Sequence, residues 1–145
     1  MKKWLFSATA LIFAGIAPCY AVSYSPGVVA GKALYVSGQL PIDPNTGMIV
    51  DGDITTLTNL TMSHIQQIVL QKGFAMKNVV KTVVYLRDIR DYAQMDKAYA
   101  TWFPFSTPPA RDVIVVPELP NNAGIQISCV ASKEKTTEEC GWFWE

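Results

Sequence analysis

Residues 79–86, Val-Val-Lys-Thr-Val-Val-Tyr-Leu, restrict the fold more than any other stretch of this chain. β-Branched side chains dominate the run; they are stiff at the first torsion and pack well on a pleated surface. The run therefore reads as a strand covered on at least one face. Such a strand needs neighbours in a sheet and a second layer above it, and the flanking sequence has to supply both.

Upstream, residues 28–30 and 33–37 read as two strands joined across Gly31-Lys32, a two-residue hairpin connection. The turn-rich segment 41–52 contains a tight reversal at Asp43-Pro44-Asn45-Thr46-Gly47. Asp53 is placed to cap a long helix that stops at Gly73, with Met62, Ile65, Ile68 and Val69 on its buried stripe. Beyond the central strand, Asp91 and Gln94 read as a capping box for a second helix through Phe103. Tyr92, Met95, Tyr99 and Trp102 give that helix an apolar face, expected in the core. Strands at 112–116 and 124–132 follow, separated by the loop 117–123. The order β-β-α-β-α-β-β predicts an α+β domain, a mixed β-sheet with two helices packed on one face. The bare opposite face is a physical motive for self-association.

The 145 residues allow one domain with a single core, and a net charge of zero without a basic run argues against nucleic acid as a partner. Residues 1–21 stand apart. Met1-Lys2-Lys3 is positive, residues 4–16 are apolar but short for a membrane span, and Cys19 and Ala21 are small residues at the −3 and −1 positions of a cleavage site. We expect a secretory signal cut after Ala21, a mature domain over 22–133 exported to a bacterial periplasm without a membrane span, and a separate tail over 134–145. An uncleaved anchor is the alternative. Export would leave Cys129 and Cys140 where a disulfide persists. Cys129 also alternates with Ile125 and Ile127, as a small buried hydrophobe would, so both readings stand. One histidine and two separated cysteines cannot complete a four-ligand zinc site, so neither metal nor cofactor is expected. His64, alone on the first helix, reads as structural.

A functional signal lies in Ser106-Thr107-Pro108-Pro109-Ala110-Arg111, which runs straight into an apolar strand. A proline pair stiffens the approach and delivers one guanidinium to the strand mouth. Its planar fork of donors suits bidentate capture of a carboxylate, although an arginine there also serves as an ordinary salt-bridge partner.

Three further segments share the chain with it: Tyr35-Val-Ser-Gly-Gln-Leu-Pro-Ile-Asp-Pro-Asn-Thr-Gly47, Asn78-Val-Val-Lys-Thr-Val-Val-Tyr-Leu-Arg-Asp-Ile89, and Tyr99-Ala-Thr-Trp-Phe103. In this order and spacing, closed by Pro109-Ala110-Arg111, the chain resembles the RidA family, also called YjgF, over roughly residues 23–133. That resemblance implies a chorismate-mutase-like fold, a homotrimer with intersubunit pockets, and hydrolysis of reactive 2-imino or 2-enamino acids. Matched to the family pocket, Arg111 is the substrate-carboxylate clamp, Ser37 and Gly38 line the pocket, and Tyr24 supplies an aromatic. Three positions depart from the deaminating pattern: Val113 stands for a Cys, Ser128 for a Glu in the last strand, and Asp96 for an Asn on the second helix.

The Glu matters most, because imine hydrolysis needs water delivered to carbon and protons moved to nitrogen, work for a carboxylate. A serine hydroxyl holds a water but is a poor base at neutral pH, and Asp96 is the candidate substitute. The expected catalytic set is thus Arg111, Ser128 and Asp96, with Arg111, Tyr24, Ser37, Gly38 and Val113 binding substrate. Two alternatives remain: a non-catalytic exported trimer that binds small carboxylic acids in the same pocket, or a partner-binding protein using Cys140-Gly-Trp-Phe-Trp-Glu145.

Overall fold

The computed structural model describes residues 24–105 and 107–134. The expected leader over residues 1–21, the aromatic tail and Cys140 lie outside the described residues.

Five strands form one sheet in the order β1-β2-β5-β3-β4. β1 (Gly27–Ala30) and β2 (Ala33–Gln39) are the expected hairpin, turning at Gly31, whose φ of +59° is one that glycine adopts without cost. β5 (Ile125–Ser132) lies between β2 and β3 (Val79–Leu86), antiparallel to both, and β4 (Ala110–Val115) closes the far edge in parallel to β3. The sheet is mixed, as expected.

Both helices cover one face. α1 (Ile54–Gln71) starts where Asp53 accepts a hydrogen bond from the Thr56 amide at 3.0 Å. It stops at Gly73, whose φ of +76° ends the helical path. Met62, Ile65 and Val69 are buried in its stripe, with Ile68 half-buried. They meet Leu34 and Val36 of β2, Val84 and Leu86 of β3, and Ile125, Ile127, Cys129 and Ala131 of β5. The buried-then-half-buried alternation of β5 shows which side of the sheet is core.

The second helix departs from expectation at both ends. α2 spans Tyr92–Ala100. A short 3-10 turn, Ile89–Asp91, runs directly into it, so Asp91 already has near-helical angles (φ −77°, ψ −12°) and makes no capping bond with its side chain. The expected Asp91–Gln94 box is absent; Asp88 caps the preceding turn instead, accepting from the Arg90 amide at 2.9 Å. At the other end the backbone tightens to i→i+3 bonds at Trp102 and Phe103, and Pro104 disfavours a helical conformation before it. Of the expected apolar face, Met95 and Tyr99 are buried, Tyr92 is exposed, and Trp102 donates its indole N–H to Asn59 Oδ1 at 2.9 Å.

The other face of the sheet carries Tyr35, Val83, Tyr85, Ser128, Val130 and Ile114 without a covering layer among the described residues. It also holds an ion pair, Lys81 to Asp112 at 2.6 Å, so it is mixed in polarity rather than wholly apolar.

Candidate functional site

Arg111 is the second residue of an edge strand, and register decides where it points. It lies beside Thr82, a fully buried residue on the helix side of β3. The guanidinium therefore extends toward α2 rather than toward the bare face. There the Tyr99 ring lies beneath it, 4.6 Å from guanidinium carbon to ring centroid, a cation–π contact. The ring is itself held: its hydroxyl meets Thr82 Oγ1 at 2.6 Å in the core, and Phe103 packs against it at 5.0 Å between centroids. Burial pushes the Tyr99 phenol upward in pKa, which keeps it neutral; the Thr82 bond and the Arg111 charge oppose that shift without cancelling it.

Arg111 Nη2 donates to Asp96 Oδ1 at 2.6 Å. No other hydrogen bond to the Arg111 fork is recorded among the described residues, so most of its five donors remain available. Its side chain is 21 % exposed and opens into a groove of about 800 Å³ lined by Tyr99, Ala100, Phe103, Pro108, Pro109 and Ala110. Apart from the arginine and the Tyr99 hydroxyl, the side chains of this lining are apolar. A site of this kind takes a small molecule by its apolar body and orients it by one anionic group. Val113, two residues on, packs partly against the core on the same side.

The other expected site residues gather elsewhere. Ser37 and Gly38 form a bulge in β2, between the pairs Val36–Cys129 and Gln39–Ile127. Ser37 donates through both its amide (3.0 Å) and its hydroxyl (3.1 Å) to the Pro26 carbonyl, which places the turn carrying the exposed Tyr24 near this bulge. Ser128 is the residue of β5 opposite the bulge; it pairs with Val83 and faces the bare side of the sheet. The structure thus brings Arg111, Asp96 and Val113 together at β4 and α2, and Ser37, Gly38 and Ser128 together at β2 and β5. It does not join the two groups within one chain: β2 and β4 are three strand spacings apart, roughly 14 Å, and Ser128 faces away from Arg111.

Sequence reasoning missed Gln126. Its side chain lies directly over Gly38, where an added Cβ would come within 2.3 Å of the Gln126 amide nitrogen. Gly38 therefore keeps open the space that Gln126 occupies, so the polar side chain at the bulge is Gln126 as well as Ser128. Alternation along 125–131 could have flagged it, since Gln126 and Ser128 share a face. His64 is structural, its Nδ1 3.1 Å from the Leu40 carbonyl. Cys129 is a free, buried thiol whose pKa burial pushes up to about 12, which removes it as a nucleophile. No cluster of three metal-ligating side chains occurs among the described residues.

Residues 15–133 match the family described as Endoribonuclease L-PSP. A RutC family protein of Pyrococcus horikoshii is 40% identical over 124 residues, covering 86% of this chain and 98% of that one. The 2-iminobutanoate/2-iminopropanoate deaminase of Rattus norvegicus is 34% identical over 115 residues, covering 79% and 83%. The solved structure of the YjgF gene product of E. coli superimposes with a TM-score of 0.73 at 30% identity, covering 81% of this chain and 93% of that one. The match over most of the chain, the shared fold and the arginine delivered by Pro109-Ala110 agree, and the chain belongs to the RidA/YjgF family.

Proposed function

We propose that this protein is a RidA-type deaminase that hydrolyses small 2-imino or 2-enamino acids to 2-keto acids and ammonia. The observation that carries this reading is Arg111: a guanidinium seated on the Tyr99 ring at the mouth of an apolar groove, with one donor engaged and the others without a partner among the described residues. The likeness to a rat deaminase of such substrates supports it. In the reaction, Arg111 holds the carboxylate, water adds to the imine carbon, and a proton goes to nitrogen. The C–N bond of the resulting carbinolamine then breaks, leaving a carbonyl and ammonia.

The chain would work as a homotrimer, the state typical of its family. Arg111 and Asp96 lie at one edge of the sheet, and Tyr24, Ser37, Gly38, Gln126 and Ser128 lie toward the other and around the bare face. Two incomplete groups in one chain make a complete pocket when one copy's edge meets another copy's bulge. The water would then be held by Ser128 or Gln126, with Asp96 as the nearby carboxylate. Secretion through residues 1–21 and activity of a 22–133 domain in the periplasm belong to the same proposal.

A second reading, a trimer that binds small carboxylic acids without turning them over, draws on the β2–β5 group. Its polar side chains there are the hydroxyls of Ser37 and Ser128 and the amide of Gln126, none of them an efficient base. The test is imine hydrolysis by the purified chain from Val22 onward, with an amino acid oxidase generating the imine in situ. Acceleration in the wild type that disappears in Arg111→Ala is the expected result. A folded protein that binds a 2-keto acid without accelerating hydrolysis would establish the second reading.

A further inference from the structure

The Arg111–Asp96 pair does more than fix an arginine. Arg111 Nη2 and Asp96 Oδ1 are 2.6 Å apart, and the Asp96 side chain is 45 % exposed while Arg111 is 21 % exposed. Asp96 is thus the more open member of the pair, bonded to the guanidinium that lines the groove. Its second oxygen has no recorded hydrogen-bond donor among the described residues. Tyr99 blocks the guanidinium from below, and Pro108, Pro109 and Ala110 are apolar walls. A ligand that reaches the guanidinium in the groove therefore meets N–H donors without a partner among the described residues, the Asp96 carboxylate bonded to the same guanidinium, and a clamp whose net charge is close to zero.

Such a clamp discriminates. A ligand with only a carboxylate gains the donors but suffers the field of Asp96 a few ångströms away. A ligand with a carboxylate and, on the adjacent carbon, a protonated nitrogen satisfies both partners at once. We propose that Asp96 is a specificity-determining residue that makes this site prefer zwitterionic α-iminium and α-ammonium carboxylates over the 2-keto acids that hydrolysis produces. The inference rests on the reading of Arg111 as the carboxylate clamp. It adds a consequence for turnover: hydrolysis removes the nitrogen that Asp96 attracts, so the product loses affinity as it forms.

The test uses two stable ligands of one carbon skeleton, L-alanine as the zwitterion and pyruvate as the keto acid. Both are titrated by calorimetry at low ionic strength into the wild type, Asp96→Asn, Asp96→Glu and Arg111→Ala. The asparagine variant keeps size and hydrogen bonding but removes the charge, so the ratio of alanine to pyruvate affinity should fall about tenfold, with pyruvate binding tighter. That factor lies well below the full contact Coulomb energy because Asp96 is half-exposed. The glutamate variant, which keeps the charge, should retain the wild-type preference. An unchanged ratio in Asp96→Asn, with Arg111→Ala binding neither ligand, overturns the inference and leaves the clamp standing. Equal binding of both ligands by Arg111→Ala and wild type, or no binding of either by the wild type, overturns the clamp and the inference together.

Discussion

Replacing Tyr99 by Phe tests the platform on which Arg111 rests, because it removes one oxygen and leaves the ring. Thr82 is fully buried and Tyr99 is 5% exposed, and their hydroxyls meet at 2.6 Å. Removing one partner of such a bond strands the other, at a cost of about 1–3 kcal/mol. With an unfolding entropy of roughly 2.1 cal/mol/K per residue over a domain of about 110 residues, 2 kcal/mol corresponds to a drop of about 9 °C in Tm. The assay is thermal unfolding followed by near-ultraviolet circular dichroism at one fixed protein concentration, because association would otherwise shift the midpoint. Thr82→Val should cost a similar amount for the same reason. The double variant, with neither hydroxyl left to satisfy, should be at least as stable as the weaker single variant, far from the sum of the two losses. Because the aromatic face under the guanidinium survives, ligand affinity in Tyr99→Phe should stay within about twofold of wild type. Additive losses, or a Tyr99→Phe protein within about 0.5 kcal/mol of wild type, would refute the argument that this bond holds the platform.

Other outcomes follow from single observations. The Cys129 thiol, raised by burial from an ordinary 9.0 to about 12, and the Tyr99 phenol, also raised by burial, both keep their protons more tightly in the folded state. Their contribution is fully present below the unfolded-state values and is lost as pH rises through the folded ones, so urea midpoints should fall steadily between pH 9 and 12. Native protein at pH 8 should leave Cys129 unlabelled by a thiol reagent until denaturant is added; rapid labelling of the folded chain would contradict its burial. Gly73→Ala should cost about 1 kcal/mol from backbone strain alone, since φ is +76° and no atom lies within 4 Å of the added methyl, and Gly73→Asn should cost less. Equal midpoints for Gly73→Ala and wild type in urea would count against that account.

What the sequence made legible is what depends on neighbours along the chain. The run at 79–86, the Gly31 turn, the Asp53 cap and the Gly73 stop each follow from local sterics and hydrogen bonding, and each stands in the structure where the residues placed it. The Asp91 box failed for an equally local reason that the pattern conceals. A capping box presumes that the chain enters the helix from an extended residue, whereas here it arrives from a 3-10 turn already capped by Asp88. Sequence rules for helix ends read the residues but not the conformation from which the chain approaches.

The candidate site was legible in its parts and not in its assembly. Pro109-Ala110-Arg111 announces a guanidinium at a strand mouth, and period-two alternation tells that Arg111 and Ser128 occupy definite faces of their strands. Which faces they share is set by register across β3, and register is a property of the pairing rather than of either strand. Arg111 beside Thr82 points to the helices; Ser128 beside Val83, one residue along the same strand, points away. That single step separates the two ends of the expected catalytic set. It also explains why Gln126 escaped notice: its importance comes from the hole that Gly38 leaves in a different strand, a relation between residues 88 positions apart that only the folded β2–β5 pairing creates.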